Sequence, residues 1–139
     1  MPKQSPIPDD LGRPFYEAAN EGRLVLQYCS ADDRWQFPPE PVCKGPCGSA
    51  ERLSWRQTDG RGTIYSYAVV YDTPIASLQP DQPFNCAVVE LDSCPGINFM
   101  SHLPGTPLDE VPIGAAVKLI FEATPATGQK VPEWKIVQS

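Results

Sequence analysis

The chain has no apolar run near the roughly 18 to 20 residues that a bilayer-crossing helix needs, and MPKQSPIPDD at its start has no apolar signal core. Neither a membrane-embedded nor an exported protein is expected, and the expected location is the cytoplasm. Adjacent basic residues never occur: 11 Lys and Arg are scattered against 17 Asp and Glu, giving a net charge of −6. Nucleic-acid affinity comes largely from clustered cations that release counterions from phosphates, so a nucleic-acid partner is not expected. Histidine occurs once, at His102. It and Cys94 are the only Cys and His close enough in sequence to suggest a nucleophile and base, and no surrounding pattern supplies an oxyanion hole or an orienting third group. Internal repeats and low-complexity segments are also missing.

What is present describes one small folded unit. With 139 residues, 41% hydrophobic and 20% charged, usage is that of an ordinary globular domain, so the 17 prolines are expected to punctuate loops rather than mark disorder. Cysteines number five, which is odd, and Cys29, Cys43 and Cys47 lie within 19 residues of one another. That clustering suits a metal site in a reducing compartment better than a disulfide framework. Cys86 and Cys94 stand apart, and Cys86, alternating with Phe84 and Val88, reads as a core residue.

Along the chain, LGRPFYEAANEG carries Leu11, Phe15 and Ala18 or Ala19 at helical spacing, with Asp9 or Asp10 available to cap and Gly22 to stop the helix. RLVLQYC (23–29), the Trp35–Phe37 stretch and RLSWRQ (52–57) are expected to be three short strands around the cysteines. From Gly60, GRGTIYSYAVVYD alternates as a long strand, with Ile64, Ser66, Ala68 and Val70 on one face and Tyr65, Tyr67, Val69 and Tyr71 on the other. FNCAVVELD (84–92), INFMSHL (97–103), AAVKLIFEA (115–123) and EWKIVQ (133–138) follow, separated by turn residues. Five strands with little helix have the count and texture of a small closed or nearly closed β-barrel.

Taken in order, a helix with a Pro-Phe start, EGRLVLQYC, QFPPEPVC…CGS, GRGTIYSYAVV, VVELD and IGAAVKLIF resemble the acyl-CoA-associated proteins that join a rubredoxin-like zinc ribbon to a C-terminal OB-fold. The match runs from about Leu11 to Val137. It implies a mainly β chain with a short N-terminal helix: residues 1–22 the N-terminal segment and helix, 23–58 a degenerate ribbon, 59–139 a five-stranded OB-fold barrel. It also implies a non-catalytic accessory subunit that bridges or stabilises thiolase-fold catalytic subunits in a hetero-oligomer and helps shape an acyl-CoA site. Such complexes include acyltransferases, thiolases and sterol side-chain aldolases. Two other readings are a stand-alone acyl-CoA-binding OB-fold protein and, disfavoured by charge, a single-stranded nucleic-acid binder stacking bases on Tyr65, Tyr67 and Tyr71.

The family's ribbon reads C-x-x-C, about ten residues, then C-x-x-C. Here the metal ligands implied are Cys29, Asp32, Cys43 and Cys47, with Asp32 in place of the second cysteine and one extra residue in C-K-G-P-C. Zinc accepts carboxylate oxygen, and knuckle spacings of about two to four residues are tolerated, so structural zinc is compatible with both changes. Gly45 is available for the turn and Asp33 as a neighbouring carboxylate. The alternative is a ribbon that persists as a packed relic, with thiols that merely fill space. No catalytic residue is assigned. Arg52, Arg56, Arg61 and Lys118 are cations available to an anionic thioester, but none is assigned to cofactor binding. The helix stripe and the proline-rich loop of 73–83, with Ile75, Leu78 and Phe84 beside it, are expected contact surfaces for a partner or for this chain's own barrel.

Overall fold

The computed structural model describes residues 4–137, so the outermost residues of the N-terminal segment and of the last expected strand lie outside the described residues. In chain order it contains α1 (Arg13–Asn20), β1 (Val25–Cys29), β2 (Arg34–Gln36), β3 (Leu53–Gln57), β4 (Arg61–Val70), β5 (Phe84–Leu91), β6 (Asn98–Ser101), β7 (Ala116–Ala123) and β8 (Lys130–Ile136). The strands form a three-stranded sheet, β2-β1-β3, and a five-stranded sheet, β6-β5-β4-β7-β8. Every pairing is antiparallel.

Local chemistry sets the ends of α1. Pro14 lies in the first turn, where its missing N–H costs nothing, and the Gly12 N–H donates to Asp9 Oδ1 at 2.6 Å. At the other end Gly22 takes φ +79°, and the Arg23 N–H returns to the Ala18 carbonyl at 2.9 Å. The buried stripe of Phe15, Ala18 and Ala19 packs against β1 and β8, so the helix docks on its own chain.

In β4 the expected alternation holds only as far as Ile64. A bulge between Ile64 and Ser66 leaves Tyr65 out of register, so that Ile64 pairs with Val89 but Ser66 pairs with Val88. The extra residue reverses the parity beyond it. Tyr67, opposite buried Ala87, therefore packs toward the core, whereas Tyr65 and Tyr71 remain exposed. The three tyrosines thus do not share one face. In β5 the buried residues are Asn85, Ala87, Val89 and Leu91, which puts Phe84, Cys86 and Val88 on the outer face. Cys86 is half-buried there, not in the core. Strand β8 begins at Lys130, before the expected Glu133, and runs through Pro132 opposite Phe121. Proline is tolerated because β8 is an edge strand, with no ladder partner on its far side.

The barrel is nearly closed where β6 meets β8: the buried Ser101 hydroxyl donates to Glu133 Oε2 at 2.6 Å and accepts the Trp134 N–H at 3.1 Å. An aromatic seam joins the two sheets and the helix. Phe37, just after β2, stacks on Phe99 of β6 with centroids 4.5 Å apart, Phe15 of α1 lies 5.5 Å from Phe37, and Trp134 lies 6.4 Å from Phe99. Trp134 is fully buried and Phe99 nearly so.

Phe99→Ala is expected to lower unfolding free energy by about 3 to 5 kcal/mol through lost burial and the cavity left among Phe15, Phe37 and Trp134. Urea titration of the purified variant measures it; a loss under about 1 kcal/mol would mean the seam contributes little beyond a surface contact.

Candidate metal centre

Two turns bring the donors together. The first joins β1 to β2 and is tightened by Asp33, which takes φ +47°, a conformation tolerated by Asp better than by most residues. The second spans Cys43 to Ser49, is closed by the Cys43 N–H on the Ser49 carbonyl at 3.1 Å, and takes its positive φ, +59°, at Gly48 rather than at Gly45. One ligand atom from each of Cys29, Asp32, Cys43 and Cys47 lies within 4.8 Å of the others. Cys29 and Cys43 are buried; Cys47 is exposed.

The spacings suit a tetrahedral ion. Bonds of about 2.3 Å to sulfur and about 2.0 Å to oxygen set ligand atoms about 3.5 to 3.8 Å apart. Cys29 Sγ and Cys47 Sγ are 3.6 Å apart, and Asp32 Oδ2 is 3.3 Å from Cys43 Sγ and 4.0 Å from Cys29 Sγ. A cluster of three thiols and one carboxylate at this spacing is compatible with structural zinc.

Gly45 has a different function from the turn expected of it. A Cβ at this position would lie 2.7 Å from Asp32 Oδ2, so the missing side chain is what lets the carboxylate reach the thiols. Asp33, the alternative carboxylate, faces elsewhere and accepts a hydrogen bond from the Tyr28 hydroxyl.

Backbone N–H groups favour the anionic form of two of the four donors, Cys29 and Asp32. The Asp32 N–H, aided by the Cys43 and Cys47 thiols and the Ala31 N–H, holds the Cys29 pKa below the usual thiol value against the effect of burial. The Cys47 N–H, at 3.0 Å, and the Cys47 and Cys43 thiols hold Asp32 below the usual carboxylate range. Burial raises Cys43, although the Gly45 N–H points at its sulfur from 3.3 Å. The Ser49 N–H favours the Cys47 thiolate, but Asp32, burial and the two other thiols together push that pKa up to about 12. Without a cation, then, Cys43 and Cys47 retain protons that a metal must displace.

Two residues that the sequence reading passed over hold the linker between the turns. Gln27 and Gln36, both buried and adjacent in register, are joined by Gln36 Nε2 donating to Gln27 Oε1 at 2.8 Å. Gln27 also donates to the Glu40 carbonyl and accepts the Glu40 N–H, both at 2.9 Å. Gln36 donates to the Val42 carbonyl at 3.1 Å and accepts the Lys44 N–H at 3.0 Å. The available signal was a polar residue within the apolar run LVLQYC.

The other candidates are not assembled into a site. Cys94 is fully buried, and burial raises its pKa. His102 lines a different surface cleft, with Cys86, Ile75, Leu78 and Met100, and its Nδ1 is 3.3 Å from the Asn85 carbonyl. Arg56 lies over the Tyr28 ring at 3.8 Å, whereas Arg61 and Lys118 line a cleft beside β4 and β7.

Comparison with known proteins agrees with this architecture. Residues 17–51 match the model of the ChsH2 rubredoxin-like zinc ribbon domain, and residues 55–122 that of the ChsH2 C-terminal OB-fold domain. A chain of the solved Ltp2-ChsH2(DUF35) aldolase is 31% identical, with a TM-score of 0.78 over 95% of this chain and 98% of that one. A DUF35-family protein of unknown function from Sulfolobus solfataricus has a TM-score of 0.61 at 16% identity, over 92% of this chain and 86% of that one, and shows the common fold. A probable enoyl-CoA hydratase alpha subunit from Thermomonospora curvata is 35% identical over 114 residues; the match takes in 80% of this chain but only 33% of that protein's length.

Competition with a chromogenic chelator tests the donor set. Asp32→Cys is expected to bind zinc at least about tenfold more tightly, and Asp32→Ala and Gly45→Ala at least about tenfold more weakly, than the natural chain. Affinity should rise with pH, because binding expels the protons on Cys43 and Cys47. Equal affinity across the series would remove Asp32 from the ligand set.

Proposed function

We propose that this chain, which belongs to the ChsH2 family of rubredoxin-like zinc-ribbon and OB-fold proteins, is the non-catalytic accessory subunit of a thiolase-like complex that transfers acyl groups or forms and cleaves carbon–carbon bonds. The observation that carries this reading is the end-to-end structural match to the ChsH2 subunit, which pairs with Ltp2 in an aldolase. Partition into the segment through residue 22, the ribbon of 23–58 and the barrel from 59 onward is part of the same reading, as is a cytoplasmic location. No helix among the described residues is long and apolar enough to cross a membrane.

Cys29, Asp32, Cys43 and Cys47 hold zinc in this reading. An ion with four protein ligands has no position left for substrate or activated water, so it acts as a cross-link between the two turns. The acyl chemistry belongs to the partner. This chain acts by position: it orders the catalytic subunits and restricts water at the thioester site, and it supplies no proton-transfer group. Cys94, enclosed among core side chains, fits a packing role. A docking face is available on the outer side of β5 and β6, where Phe84, Cys86 and Met100 adjoin Ile75 and Leu78 of the 73–83 loop.

Co-expression with a candidate thiolase-fold partner from the same organism tests this function. The two are expected to co-purify as a hetero-oligomer, with the partner losing most of its activity when prepared alone. A partner fully active alone and failing to associate would refute the proposal.

A further inference from the structure

Sheet register produces a feature that a linear reading does not show. Arg61 on β4 lies directly opposite Lys118 on β7, and Lys118 lies directly opposite Lys135 on β8. All three are exposed, and they project from the same outer face, because cross-strand partners share a face. Strands about 4.8 Å apart spread this row over about 10 Å. Like charges directly opposite one another destabilise a sheet, and among the described residues none of the three forms a salt bridge. Two carboxylates flank the Arg61 end of the row without forming a salt bridge to it: Asp59 Oδ1 accepts the Arg61 N–H at 3.0 Å and Asp92 Oδ1 accepts the Thr63 hydroxyl at 2.8 Å. A row of three cations in cross-strand register is unusual in a chain of net charge −6.

Beside the row is a cleft of about 470 Å³, lined in part by Arg23, Thr58, Arg61, Lys118, Leu119 and Val137. The Arg23 guanidinium is paired with Glu21 at 3.1 Å, and the Asp59 carboxylate also lines the cleft, so Arg61 and Lys118 are its unpaired cations. A lining that combines apolar Leu24, Leu119 and Val137 with the cations Arg61 and Lys118, continued along the sheet by Lys135, fits an organic ligand that ends in phosphate. A flat acidic protein surface would match the row but leave the cleft unused.

We propose that the Arg61–Lys118–Lys135 row and its cleft form a binding site for a multivalent phosphate anion, the phosphate-bearing end of a small organic molecule. This site is separate from the metal cluster and does not depend on a catalytic partner. Phosphate oxygens bridging adjacent cations relieve the repulsion that the register imposes.

Calorimetric titration of the full chain with inorganic pyrophosphate at low ionic strength tests the site. Saturable binding that weakens as salt is added is expected. In the Lys118→Gln, Lys135→Gln double variant the affinity should fall at least about tenfold, while the unfolding temperature without pyrophosphate stays the same or rises as repulsion is relieved. Arg61→Gln alone should also weaken binding, which keeps the test valid should the double variant fold poorly. Absence of saturable binding, or equal affinity in the variants, overturns the proposal. So does loss of partner association in the double variant with no pyrophosphate binding to the natural chain, which would assign the row to an acidic protein surface.

Discussion

Phe37 leaves the small sheet and stacks on Phe99 of the barrel, with Phe15 of the helix against both. This contact fixes the position of everything else. Aromatic rings bury more area per residue than other side chains, so three rings from three elements, continuing to fully buried Trp134, are enough to weld an otherwise small ribbon to the five-stranded sheet. The helix docks because Phe15 is part of that seam. The knuckles then lie at a defined distance from the barrel, whatever holds them closed.

Closure of the knuckles is a separate matter, and the two departures from the ordinary ribbon pattern are linked there. An Asp side chain carries its donor atom one bond farther from the backbone than a Cys does. The opposing turn has one additional residue and, facing the carboxylate, a glycine whose absent Cβ would collide with Asp32 Oδ2. The longer ligand and the roomier knuckle compensate one another. Gln27 and Gln36 satisfy the backbone of the intervening linker from inside, in a buried network that contributes shape irrespective of the ion. These arrangements explain how an atypical donor set is tolerated.

Much of this was legible in the sequence, because the strands are short, rich in β-formers and separated by Gly and Pro. Three clustered cysteines were legible directly, and the family resemblance supplied Asp32 as the fourth donor; that the four ligand atoms lie within 4.8 Å of one another emerges only in the folded chain. What was hidden depends on pairing. The bulge at Tyr65 reverses every side chain after it without any local signal, and only an edge position lets β8 continue through Pro132. Asp33 and Asp32 are equivalent as letters, but a positive φ turns the first away from the thiols. The cationic row exists only because Arg61, Lys118 and Lys135, far apart in the chain, fall into register.

In the proposed reading two independent devices hold the chain's shape: packing attaches the ribbon, and a cation held by the four donors would organise its turns. Hydrogen exchange of the full chain before and after removal of zinc by a chelator separates the two most directly. The account predicts that the amides of the turns, Asp32, Gly45, Cys47 and Gly48, lose protection while those of β4, β5 and β7 keep theirs. Loss of protection throughout the barrel, or no change in either turn, would contradict it.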